Sequence, residues 1–329
     1  MAAVTALGGT TMSSFISIGR GGQARVLASH AASGSEIEVY LHGAHVTSYK
    51  YDGAELLYTS EAAIFDGKTA IRGGIPIAFP QFAGQGSLPA HGFARTSTWD
   101  LLRVDDGLIE LELRDSPSTH AIWGPHVFSL HLTLLFGGPK LEANLSVRNR
   151  GDATSFRIEA LLHAYLNLGL GAVGGSRDDV RVGGLGGVKY MDTPSRVVAV
   201  TPIGNAIPIV GLMVDRIHIA PTESEVLVVG ARTGGTYNAT RVTRAATVSR
   251  GGRGAADTSR TQPTPVPSDV VVWNPAAARN AAMKDLDPNA WTRFVCIEPG
   301  LVTEETALQL APGDAAQLAV TYEMLSLPM

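Results

Sequence analysis

The stretch LPAHGFARTSTW (88–99) sets a titratable ring, His91, between a proline turn and Gly92, with Arg95 four residues further on. Just upstream, AIRGGIPIAFPQF (70–82) puts Arg72 ahead of two glycines. Arginine carries its charge at any physiological pH, and its planar fork fits the oxygens of a phosphate. Gly73 and Gly74 would let backbone N–H groups approach the same anion. The competing use of both arginines is in structural salt bridges to acids such as Asp66 or Asp100.

Two further positions carry chemistry. IEALLHAYLNLG (158–169) buries a polar ring, His163, inside an otherwise apolar run, and RFVCIEPG (293–300) ends an apolar strand on Glu298 before Pro-Gly. Desolvation moves the pKa of such groups, raising a carboxyl as a general base requires. The alternatives are a satisfied core histidine and a strand-terminal glutamate turned to solvent. Asp215, in LMVDRIHI, is a strand carboxylate able to hold a sugar hydroxyl or to pair with Arg216. The other seven histidines read as structural. His42 and His45, in LHGAHV, would point to opposite faces of a strand, a poor geometry for one metal ion.

The elements that must position these residues are strands. EIEVYL (36–41), LIELEL (108–113), FSLHLTLLF (128–136), KLEANLSVRN (140–149), DVVVWN (269–274) and AQLAVTYEML (316–325) are short β-rich runs, several alternating apolar with polar residues. Gly137-Gly138-Pro139 marks a hairpin between two of them. Many strands at short spacing imply sheet packed on sheet, so the fold expected is all-β, a large antiparallel β-sandwich with few short helices. AAARNAAMKDL (276–286) is the best helix candidate. Residues 1–14 are expected as a loose tail and 15–329 as one domain. Residues 245–268, rich in Gly, Ser, Thr, Pro and Arg, are expected as a low-complexity surface loop inserted into it. Residues 184–188 (GLGGV) lack the lysine and the strand–helix context of a phosphate-binding loop and read as a turn.

Composition bounds the partners. The 329 residues are 45% hydrophobic and 17% charged, with a net charge of −4, so no global pull toward nucleic acid or an anionic membrane exists. One cysteine, Cys296, excludes an intramolecular disulfide and a cysteine-cluster metal site. A reducing, cytoplasmic setting is expected.

Seven stretches in order resemble the aldose 1-epimerase (mutarotase) superfamily, and more narrowly its glucose-6-phosphate 1-epimerase branch. They are residues 43–60, IRGGIPIAFPQF (71–82), LPAHGFARTSTW (88–99), LLHAYLNLG (161–169), VDRIH (214–218), VVWNP (271–275) and VCIEPG (295–300). The resemblance implies a galactose-mutarotase-like supersandwich. It implies His163 as the acid and Glu298 as the base of anomer interconversion, with His91 near the ring oxygen and Asp215 on a hydroxyl. Arg72 and Arg95 would hold a 6-phosphate. Where the family often has a substrate-binding glutamine, this chain has Ala90, so Gln81 or Gln85 would have to take over a sugar contact.

The implied activity is the interconversion of the α and β anomers of a hexose 6-phosphate by ring opening and reclosure, which demands no metal, nucleotide or redox cofactor. The expected partner is the small-molecule hexose 6-phosphate alone, with no nucleic acid or membrane, and the chain is expected to be a monomer. Two other readings stay open: an aldose 1-epimerase acting on free sugars, and a non-catalytic sugar-phosphate-binding protein. A glycosidase or lyase would want a second catalytic carboxylate, and none is identifiable.

Overall fold

Residues Phe128–Gly137 and Lys140–Asn149 alternate as read, and they pair antiparallel from Gly137↔Lys140 to Phe128↔Asn149 around the Gly138-Pro139 turn. This hairpin lies within the largest of the four sheets that the described residues form in a computed structural model. The structure describes residues 15–169, 180–209, 211, 213–233, 236–251 and 262–328. The expected tail, 1–14, lies outside them.

The ten-stranded sheet runs in the order Ile207–Pro208, Arg181–Gly183, Glu225–Thr233, Thr236–Ser249, Ala315–Pro328, Lys140–Asn149, Phe128–Gly137, Leu108–Arg114 and Asp100–Asp105. Thr264–Val266 pairs onto Thr236–Ser249. The eight-stranded sheet runs Val197–Val200, Lys189–Asp192, Val214–His218, Asp269–Asn274, Phe294–Leu301, Ala160–Leu162 and Ile77–Ala78. Ala164–Asn167 also pairs with Phe294–Leu301. A five-stranded sheet spans the strands from Phe15–Ile18 to Ala54–Glu55, and a two-stranded one joins Phe156–Ile158 to Leu308–Leu310. The architecture is the expected all-β one.

The side-chain period of two explains where the core and the site lie. In the eight-stranded sheet, Leu162, Ala164, Leu166, Val270, Val272, Val295 and Ile297 turn inward, into one cluster with Leu130, Leu132, Leu145, Leu318 and Val320 of the larger sheet. Each such buried Leu, Ile or Val stabilises the fold by roughly 1.5–3 kcal/mol relative to exposure. The alternate residues, Leu161, Tyr165, Val271, Trp273, Phe294 and Cys296, form a second cluster on the opposite face. Phe294–Leu301 is therefore buried along both faces, which is why it reads as a continuous apolar run.

Two expectations are corrected. Residues 245–249 finish a fourteen-residue strand, and residues 264–266 pair back onto it. Alternating Val242, Ala246 and Val248 bury one face of that strand, so large apolar residues are not needed. The stretch 252–261 of the expected loop lies outside the described residues. The helix expected over 276–286 is Ala276–Ala282 and stops at Met283. A second short helix, Pro117–Trp123, adds to it, where Ser116 caps the start by accepting from the Thr119 N–H and Pro117 opens the first turn. Among the described residues no helix is long and apolar enough to cross a membrane.

Buried histidines make this fold acid-sensitive. His45 is fully buried and its Nε2–H donates to the Gly73 carbonyl at 2.8 Å. Burial pushes its pKa down to about 3 and that of His218 to about 4. The unfolded chain has the ordinary value near 6.5, so it takes up protons first as pH falls. The stability these two groups confer is complete above about pH 6.5 and is lost as pH falls toward about 4. Each contributes a loss of about 1.4 kcal/mol per pH unit in that window. Thermal denaturation should give a melting temperature that drops steadily from about pH 7 to about pH 5. An unchanged midpoint over that range would show that the native state protonates these rings freely.

Candidate active site

His163 stands at a break between two short strands. Leu161 pairs with Gly300 and Ala164 with Ile297, so the register carries His163 across from Glu298. At the break the His163 backbone N–H donates to the Pro76 carbonyl at 2.9 Å. His163 Nδ1 lies 3.4 Å from Glu298 Oε1, within ion-pair distance but without a hydrogen bond between them. Apo catalytic pairs are often this loose and tighten around substrate. Tyr165, two residues on and so on the same face, stacks on the His163 ring at 4.9 Å and 8°. Trp273 meets the same ring edge-on at 6.0 Å.

Glu298 is 1% exposed, and the expectation of a solvent-facing alternative fails on that burial. Desolvation, and then the charge of Asp215, push its carboxyl well above the usual carboxylate range. Desolvation pushes the His163 imidazole well below its ordinary value, reinforced by His91, Arg95 and Arg72. Both groups are therefore driven toward their uncharged forms.

His91 is delivered by a loop held from inside. Gln81 donates from its amide to the Ala83 and Leu88 carbonyls and accepts from the Leu88 N–H. Gln81, one of the two glutamines expected as a sugar contact, is thus committed to the loop. The His91 N–H donates to Ala83 O at 2.9 Å, and its carbonyl accepts from the Phe79 N–H. His91 has φ +64°, a left-handed conformation that costs a non-glycine residue on the order of 1–2 kcal/mol. Gly92 follows at φ +66°, where a Cβ would sit 2.0 Å from the Phe79 carbonyl oxygen, so no other residue fits that crossing. The result puts the His91 ring 5.7 Å from that of His163 and 5.3 Å from that of Phe82. Burial, then Arg95, then Arg72 push the His91 pKa down to about 3.

Both arginines therefore stand at this end of the site. Arg72 donates from Nε, and directs Nη2, to Asp285 Oδ2 at 3.0 Å each, and it donates from Nη1 to the Tyr165 hydroxyl at 3.0 Å. Arg95 donates from Nη2 to the Ala90 carbonyl at 2.8 Å, while its buried Nε has no acceptor. A buried donor without an acceptor is costly, and a hydrogen-bond acceptor that reached it would satisfy it. Two expectations change here. Asp66 is occupied by its own loop, accepting from the Lys68 and Thr69 N–H groups, and is no partner of Arg72. Gly73 and Gly74 serve close backbone crossings, with a Gly73 Cβ 2.4 Å from Thr59 Cα and the Gly74 N–H donated to Tyr58 O. These crossings account for both glycines without a ligand.

Asp215 pairs in register with Trp273, whose other neighbour is Cys296, so all three share the site face. Burial pushes the Asp215 carboxyl up. Arg216 turns the other way and lies 4.6 Å over the Tyr190 ring, leaving Asp215 to the site. Tyr165 and Asp285 are the residues that sequence reasoning misses. Tyr165 has a signal, its two-residue spacing from His163, whereas nothing near Asp285 in the chain points to Arg72. For a metal, the described residues offer one group of three donors, His163, Cys296 and Glu298, within 4.8 Å of one another.

The face thus has a cationic end and an acid/base end, bridged by the Tyr165 ring. A family model described as aldose 1-epimerase matches residues 25–323. A protein from Cenchrus ciliaris provisionally named glucose-6-phosphate 1-epimerase is 31% identical over 290 residues, spanning 84% of this chain and 78% of its own. Its namesake from Escherichia coli (strain K12) is 30% identical over 274 residues, spanning 80% of this chain and 79% of its own. The crystal structure of a provisionally named mutarotase from Salmonella typhimurium has the same fold, with a TM-score of 0.70 at 24% identity over 95% of this chain and 97% of that one. The matched span contains all six residues singled out from the sequence, and the chain belongs to the aldose 1-epimerase family, whose members are isomerases.

Proposed function

We propose that this protein interconverts the α and β anomers of a hexose 6-phosphate, without a cofactor. The observation that carries the reading is the continuity of the site: Arg72 reaches the Tyr165 hydroxyl, and Tyr165 stacks on His163, which faces Glu298. An anion held at one end leaves the sugar ring at the other.

In this reading Glu298 takes the proton of the C1 hydroxyl while His163 gives one to the ring oxygen. The C1–O5 bond breaks and C1 becomes a carbonyl carbon. Rotation about C1–C2 and return of both protons close the ring on the other face. Opening converts a carboxylate and an imidazolium into a neutral acid and a neutral imidazole, the forms that burial favours. Each proton transfer contributes typically ~10²–10⁴-fold. His91, uncharged and beside His163, is placed to hydrogen-bond the ring oxygen, and Asp215 to hold a hydroxyl.

The phosphate also prepares the acid. Arg72 and Arg95 hold the His163 pKa down, and a bound dianion offsets their charge. Inorganic phosphate should therefore raise the apparent pKa of His163 when its ring signals are titrated by NMR. A titration curve that phosphate leaves in place would separate the anion site from the acid.

A free-sugar substrate is the second reading, favoured by Asp285, which already partners Arg72. The unpaired Nε of Arg95 favours the phosphosugar. Anomer exchange measured by NMR on glucose and on glucose 6-phosphate decides between them. Arg72→Ala should raise KM for the phosphosugar by roughly 10–100-fold, as loss of one or two charge-assisted hydrogen bonds implies, and abolish its preference over the free sugar. Unchanged discrimination would place the phosphate elsewhere. Glu298→Gln should still bind the sugar phosphate yet leave exchange at its uncatalysed rate, and substantial residual turnover would remove Glu298 from the role of base.

A further inference from the structure

Cys296 takes no part in the proton transfers proposed above, yet it lies on the same face, between Tyr165 and Trp273 in register and two residues from Glu298. A thiol, an imidazole nitrogen and a carboxylate oxygen within 4.8 Å of one another form a mixed donor set. The lone cysteine excludes a cysteine cluster and leaves this arrangement open. Two of the donors are also unsatisfied: His163 Nδ1 and Glu298 Oε2 are buried without a hydrogen-bond partner. Glu298 is 1% exposed, so its unsatisfied oxygen has no access to bulk water.

We infer that His163, Cys296 and Glu298 form a reversible inhibitory site for a zinc-class divalent cation. The donor types are those that zinc takes, and three protein ligands with one open position is a zinc arrangement known to leave room for water or a substrate hydroxyl. Thiolate and imidazole select against magnesium and calcium, which prefer all-oxygen sets. On binding, the Cys296 S–H bond breaks, its proton passes to the buffer, and a metal–sulfur bond forms with no change of oxidation state. A cation held there occupies the Glu298 carboxylate that the proposed base would use and fixes the His163 ring beside it. It enters from the sugar side, where the His163 side chain retains 11% exposure, so it competes with substrate.

The inhibition rests on the proposed acid/base pair, whereas the cation site does not, and the experiment has an arm for each. Titrating the metal-free protein with Co²⁺ should produce a thiolate-to-cobalt charge-transfer absorption in the near ultraviolet that zinc displaces and Cys296→Ala eliminates. Zinc should inhibit anomer exchange competitively and reversibly by chelation, while magnesium does not. Cys296→Ala and the closer isostere Cys296→Ser should keep basal exchange within about twofold and raise the zinc concentration for half-inhibition by at least about tenfold, as loss of a ligand requires. Absence of the charge-transfer band in the wild-type protein overturns the site, with no reference to turnover. A band without inhibition overturns the inhibitory role, and inhibition that the cysteine variants leave unaltered overturns the assignment of Cys296.

Discussion

Burying a carboxylate in the middle of an apolar strand is the constraint on which this site depends. Glu298 sits in Phe294–Leu301, every residue of which is buried, and no hydrogen bond satisfies its outer oxygen. A charge in such a place is expensive unless it is paired or neutralised. Here the partner is an imidazole at 3.4 Å, itself buried and near two guanidinium groups. Neither member is at ease when charged. That tension suits the pair to exchanging protons with a ligand, and it exists only because the sheet backbone fixes both residues.

The strands carry the candidate acid/base pair, and a connecting segment carries the two arginines. His163, Glu298, Asp215 and Tyr165 all belong to adjacent rows of one sheet face, where the pleat sets their spacing. Arg72, His91 and Arg95 come from the connection between Ala54–Glu55 and Asp100–Asp105, and internal hydrogen bonds stiffen it. His45 pins the Gly73 carbonyl, Gln81 laces Ala83 to Leu88, and Ala90 lends its carbonyl to Arg95. Ala90 thus contributes through its backbone carbonyl. Strain at His91 persists because these contacts leave it no alternative, and such strain is commonly stored at functional positions.

The two ends communicate through charge as well as through position. Arg72 and Arg95 lower the basicity of both His91 and His163, so whatever anion meets the arginines also alters the histidines. Asp285 moderates this by holding Arg72 from the outside. The Tyr165 ring completes the connection, giving its hydroxyl to the arginine and its face to the imidazole.

Much of this is legible in the chain. Period-two alternation marks Phe128–Gly137 and Lys140–Asn149 as strands, because a sheet with one face in the core cannot hide that pattern. The six candidate site residues stand out because titratable groups in apolar runs, and arginines beside glycine turns, are costly to place without a use. The alternation over 242–249 is easily missed because alanine and valine bury one face without a strong apolar signal. The tertiary structure alone decides the rest. Asp285 reaches Arg72 across 213 residues, Gln81 is drawn into its own loop, and Gly73 and Gly74 are consumed by backbone crossings. Sequence determines which groups a chain must bury and with what period. Which distant groups then become neighbours is set by strand order and register, and no local pattern encodes that.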